Sequence, residues 1–115
     1  MLGKAVSGDA TAVSATVALQ MATINGAKAL GLDEVCGSLR IGKAADIIAI
    51  DLSYLETQPL YCPVSQIVYA ASRQQVSDVW VAGQRLLKQR QLMTIDKTAL
   101  LVRVAKWQER LASLN

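Results

Sequence analysis

The chain has 115 residues, which leaves room for one domain at most. Hydrophobic residues make up 52% and charged residues 18%, a balance that excludes a disordered tail. Aromatic residues are only 4%, with no Phe, so any core rests on Ala, Val, Leu and Ile and buries little area per residue.

Met1 to Val6 is mostly apolar and looks like the last turn of a helix, and Ser7, Gly8 and Asp9 then supply a turn. Lys4 followed by an Ala/Val/Leu-rich run to Ala27 imitates a secretory signal, but Asp9, Gln20, Asn25 and several threonines interrupt the apolar stretch such a signal needs. No run approaches the roughly 18 apolar residues of a membrane span. A cytoplasmic chain with no membrane partner is expected. From about Ala12 to Ile24 the pattern is helical, with Val13, Val17, Met21 and Ile24 on one stripe and Asp9 or Thr11 as cap. Asn25 and Gly26 lie between Ala-rich flanks, so they read as a break and not as a hairpin turn. Asn25 is expected to cap a second short helix, which Gly31 ends in the left-handed conformation.

Gly37 to Asp51 carries the strongest local pattern in the chain. Gly37, Gly42 and Lys43 fit the phosphate-loop spacing G-x-x-x-x-G-K, but Ala44 stands where Ser or Thr would hold Mg²⁺. A phosphate loop also needs a helix after it, whose N–H groups and dipole face the anion. Here Ile47, Ile48, Ala49 and Ile50, closed by Asp51, read as a strand. The expectation is therefore two short strands joined by a Gly42–Lys43 turn, with no nucleotide site.

Leu52 to Pro63 holds both prolines and reads as a connecting loop. Val64, Ile67, Val68 and Ala71 have helical spacing, and Pro63 suits a first helical position. Val76 to Val81 and Gln84 to Lys88 form a β-hairpin turned at Ala82 and Gly83. A final helix, capped by Thr94 or Asp96, carries Leu100, Val104, Trp107, Leu111 and Leu114 on one stripe.

The net charge is +3, and the basic excess lies between Arg85 and Arg110. Those cations are dispersed among apolar residues, with no groove-reading or stacking motif, so they read as a solvated face and no nucleic-acid partner is expected. Cys36 and Cys62 are far apart in sequence and outside any C-x-x-C, so they read as reduced, half-buried structural thiols. The chain has no histidine to activate a thiol or a serine. Asp46 and Asp51 flank a strand, Asp78 sits in the hairpin, Asp33 lies in a loop, and Asp9 and Asp96 are cap candidates. Glu34, Glu56 and Glu109 show no pairing at metal-ligand spacing. Ser72 and Arg73 are a conceivable anion contact, but exposed residues after a short helix need no such role. No catalytic, cofactor-binding or metal-binding residue is assigned.

The stretch G-S-L-x-x-G-K-x-A-D-I-I-x-I-D at Gly37–Asp51 resembles the C-terminal signature of the amidohydrolase superfamily. Ala22–Leu32 before it, and Thr57–Pro59, Pro63–Ser72 and Val76–Gly83 after it, narrow the resemblance to the methylthioadenosine/S-adenosylhomocysteine deaminase and chlorohydrolase-like branch. The resemblance implies an α+β chain: final TIM-barrel helices over 1–32, part of the small composite β-sandwich over 33–95 with its loop and short helix, and a C-terminal amphipathic helix over 96–115. A complete barrel alone takes about 250 residues. Met1 is then a start within a longer coding sequence, and the missing N-terminal part of the enzyme is the expected partner.

Family members hold zinc or iron through an H-x-H pair, two further histidines and an aspartate, and none of these has a counterpart in this chain. The implied function is the C-terminal fragment of a metal-dependent hydrolytic deaminase acting on a C–N bond of a purine-like substrate. It is non-catalytic by itself and carries no cofactor of its own. The alternative is a free-standing assembly or binding module. Lost sheet neighbours leave open edges, so self-association or swapping between copies is expected.

Overall fold

The computed structural model describes residues 2–9 and 11–113, so Met1 and Leu114 of the first and last expected helices lie outside the described residues. Helix α1 spans Leu2–Ser7 and α2 spans Ala15–Ala22. The expected start of α2 near Ala12 is corrected. Asp9 spends its carboxylate on Thr11, accepting from both the amide and the hydroxyl at 2.7 Å. Ser14, extended at ψ 161°, caps the helix instead, its Oγ accepting from the Val17 amide at 3.3 Å.

Helix α3, Ile24–Ala29, follows after a break at Thr23. Asn25 lies inside α3 and does not cap it. The break falls earlier because Thr23 takes φ −124°, ψ −104° and turns its hydroxyl back onto the Leu19 carbonyl at 2.7 Å. The end of α3 is as expected: Gly31 has φ +69°, and Leu32 N–H reaches the Ala27 carbonyl at 2.8 Å while Gly31 N–H reaches Lys28 at 3.0 Å. This pair of bonds satisfies carbonyls that the helix leaves free.

The sheet has four antiparallel strands in the order β1-β2-β3-β4: Ile47–Ile50, Val76–Val81, Gln84–Lys88 and Gln91–Leu92. Only Ile47–Ile50 is a strand within Gly37–Asp51, so the expected pair of strands there is corrected to one. Residues 37–46 are bends and irregular chain with a turn at Ile41 and Gly42, and Gly37 lies against α3. The β2–β3 hairpin turns where expected, with Ala82 at φ 49° and Gly83 at φ 79°. Two consecutive left-handed residues give the turn whose twist matches the strands. Ile48, Val79, Leu87 and Leu92 are cross-strand partners and form one apolar row across the sheet. Strand β4 was not anticipated: two residues carry no readable alternation.

Helix α4, Pro63–Tyr69, starts at the proline and packs on α2. The loop before it contains a 3₁₀ turn at Leu55–Thr57. Helix α5, Lys97–Ala112, is capped by Asp96, whose Oδ1 accepts from the Ala99 amide at 3.0 Å. Every described residue of α5 is exposed.

Among the described residues Ala27 is the one buried hydrophobic side chain, at 6% exposure. The radius of gyration is 18.7 Å, against about 13 Å for a compact domain of this length. Stripes and rows made for burial are therefore largely in solvent; Met21 and Trp107 are each 58% exposed.

Candidate functional site

The phosphate-loop look-alike closes on itself. Gly37 (φ +83°) runs so close to α3 that a Cβ there would lie 2.7 Å from the Ala27 Cβ and 3.2 Å from the Thr23 carbonyl oxygen. The Lys43 ammonium, half-buried, donates to the Asp33 and Cys36 carbonyls. Lys43 N–H goes to the Arg40 carbonyl at 3.2 Å and Ala44 N–H to Val35 at 2.8 Å. Donors that a phosphate loop aims at a ligand here go to carbonyls of the loop and of the residues just before it. Titration with Mg-ATP is expected to release no binding heat; saturable heat would overturn this assignment.

Beyond Lys43 the same segment reaches the hairpin. Asp46 Oδ1 accepts from the Ala82 amide at 2.7 Å, and the Ala45 carbonyl accepts from Gly83 N–H at 3.1 Å. Ala82 pays the steric cost of a left-handed residue other than glycine, and these two bonds hold it there. The stretch is thus a strap: Gly37 sits on α3, Lys43 ties its middle, and Asp46 grips the hairpin tip. The sequence pattern marked these positions, but not their partners.

A second cluster lies on the sheet. Asp78 accepts from Arg85 Nη2 at 2.5 Å and from the Gln89 amide at 3.0 Å, and the Arg85 guanidinium sits 5.0 Å from the centre of the Trp80 ring. The Arg85 hydrogen bond, then those from Ser77 and Gln89, hold the Asp78 carboxyl down at about 2. Asp78 and Arg85 are cross-strand neighbours on the hairpin, and this pairing was missed at the sequence level. Opposite charges seven residues apart across a two-residue turn were the available signal.

The remaining candidates stay apart. The Asp51 carboxyl is lowered by its hydrogen bonds to Ser53, and Asp9 by those to Thr11. Ser72 caps a 3₁₀ turn, accepting from the Gln74 amide at 3.3 Å while its own N–H bonds to Gln75 Oε1 at 2.7 Å. Cys36 is half-buried, whereas Cys62 is exposed and corrects the expectation for that thiol. Ser65 donates to Cys62 Sγ at 3.4 Å and lowers its pKa. Among the basic residues, Arg90 bonds to the Arg73 and Val76 carbonyls, and Arg110 lies 5.3 Å from the centre of the Trp107 ring.

The donor set does not suit the zinc or iron that the family resemblance implies. There is no imidazole, and among the described residues no three His, Cys, Asp or Glu side chains gather. No described helix is long and apolar enough to cross a membrane.

Residues 2–86 match the model of the Amidohydrolase family. The chain is 50% identical over 113 residues to a 5-methylthioadenosine/S-adenosylhomocysteine deaminase of Teredinibacter turnerae, covering 98% of this chain and 26% of that protein. A namesake from Saccharophagus degradans is 41% identical over 111 residues, with coverages of 96% and 25%. Thus the chain spans about a quarter of the length of the curated relatives it matches. Among solved structures it superposes on an adenosine deaminase from Xanthomonas campestris with bound zinc at a TM-score of 0.92 and 48% identity, over 97% of this chain and 26% of that one. An atrazine chlorohydrolase from Arthrobacter aurescens, complexed with zinc, gives a TM-score of 0.73 at 26% identity, over 82% and 20%. The strap between α3 and the hairpin lies inside the family match, so on sequence and fold alike this chain belongs to the amidohydrolase family.

Proposed function

We propose that this chain is the C-terminal piece of a metal-dependent hydrolytic deaminase acting on a purine-like substrate, and that its task there is structural. Helices α1 to α3 are the last barrel helices, and the four strands are part of the composite β-sandwich. The strap over 37–46 fixes one to the other. The metal and its ligands belong to the remainder of the enzyme.

The scarcity of core carries this reading: one buried hydrophobic side chain among the described residues leaves amphipathic faces that another element must cover. Each Val, Leu, Ile or Met so covered contributes about 1.5–3 kcal/mol, far more than the isolated chain gains from the same residue in solvent. The deaminase names of the two relatives above support the substrate class.

The test uses the purified 115-residue chain with zinc and 5′-methylthioadenosine. It is expected to retain no stoichiometric zinc and to show no turnover. Adding the separately expressed N-terminal three quarters of the Teredinibacter relative is expected to give a soluble complex that deaminates. Turnover by the chain alone would sink the proposal. Failure to form a complex, together with a cooperatively melting monomer, would favour the free-standing module.

A further inference from the structure

We propose that α5 is the surface by which this chain grips the N-terminal remainder of the enzyme, its Leu100, Val104, Trp107 and Leu111 stripe seated in an apolar groove with a carboxylate rim. This rests on the enzyme-fragment reading and adds the element that makes the contact. Helix α5 has 16 residues, and every one of them is exposed, Trp107 at 58% and Leu111 at 57%. The hydrogen bonds described for it stay within Asp96–Ser113. A lone helix of this length is marginal in water, and an apolar stripe along it is stabilised by cover.

The position of α5 nevertheless matches that in a far longer protein. The zinc-bound Xanthomonas deaminase superposes over 97% of this chain at a TM-score of 0.92. Helix α5 is 16 of 115 residues, a larger share than either figure leaves unmatched. It therefore holds the same place in a protein of which this chain spans 26%. No described residue of this chain covers it, so its cover comes from the remainder.

Charge gives the chemistry of that cover. Arg103, Lys106 and Arg110, spaced i, i+3 and i+7, run along one flank of the stripe. With Trp107 they line a depression of about 160 Å³, and the Arg110 guanidinium lies 5.3 Å from the centre of the indole. Guanidinium groups select carboxylates, and a large aromatic ring beside them suits an anchoring pocket. The receiving groove is thus apolar along its floor and acidic along one rim. An anionic bilayer offers similar chemistry, but the match to a full-length deaminase favours protein.

The test follows amide exchange, by peptide mass, in this chain alone and co-purified with the N-terminal three quarters of the Teredinibacter relative. Residues 99–112 are expected to exchange fast alone and about a hundredfold more slowly in the complex. Trp107→Ala is expected to weaken the complex about thirtyfold, and Arg103→Glu about tenfold. Glu109→Ala, on the far face, should change it by less than about twofold. A complex that deaminates while these amides stay fast would overturn the α5 contact and leave the enzyme-fragment reading standing. So would a complex that binds Trp107→Ala as tightly as the parent. No complex at all would sink both. Slowing by phosphatidylglycerol vesicles, but not by the complementary piece, would overturn the contact in favour of a membrane. Slowing that grows with the chain's own concentration would overturn it in favour of a second copy.

Discussion

Replacing Gly37 by alanine is expected to destabilise the helix-to-strap junction by about 3 kcal/mol, a left-handed φ and a steric overlap acting together. The overlap decides the size. A Cβ at Gly37 meets the Ala27 Cβ at 2.7 Å, the Ile24 Cα at 3.1 Å and the Thr23 carbonyl oxygen at 3.2 Å, and two of these three are backbone atoms, one in α3 and one in its cap, where Thr23 holds the Ala27 amide at 2.9 Å. Gly42 is the internal control. Its φ of +90° is as demanding, but nothing lies within 4 Å of a Cβ there, so Gly42→Ala should cost only about 1 kcal/mol. Urea titration gives the two differences. Amide exchange at Leu32, Cys36 and Ala44 locates them, because these N–H groups bond within the segment held by the contact. Equal costs for the two substitutions would refute the packing argument.

The second large effect is on acid stability. Asp78 titrates at about 2 in the folded chain against an ordinary 3.8, so folding favours its charged form. A depressed carboxyl contributes stability that is complete above 3.8 and is lost as the pH falls toward 2. Asp78→Asn is therefore expected to be less stable than the parent at neutral pH and to converge with it near pH 2. The parent's slope between those values should flatten in the variant. Partial exposure of the Arg85 side chain, at 38%, makes part of the effect sensitive to salt. Midpoints measured at several pH values in low and high salt test both statements. Parallel pH profiles for the two proteins would show that Asp78 is not the titrating group.

These two sites also mark how far residue pattern reaches. The β2–β3 hairpin, the strand at Ile47–Ile50, α4 behind Pro63 and α5 behind Asp96 were legible because each is written locally. Alternation, a turn dipeptide, a proline at the first position or a capping acid carries its meaning within one element. Asn25 and Asp9 misled for the same reason. Either could cap a helix, and the choice went to Ser14 and to the Thr23 break through hydrogen bonds that residue types alone do not rank. The G-x-x-x-x-G-K spacing misled further, since it records where glycines and a lysine fall and not what their N–H groups face.

Sequence alone determined the family, the absence of any imidazole ligand, and the presence of amphipathic faces seeking cover. Those are properties of residue identity and order. Tertiary structure decided that Lys43 ties the Asp33 and Cys36 carbonyls, that Asp46 holds the hairpin tip, and that Asp78 pairs with Arg85. It also decided that, among the described residues, β1 stands at an edge of the sheet. Each of these depends on which backbone atoms the chain brings together, and the directional demand of a hydrogen bond makes that choice only once the fold has closed.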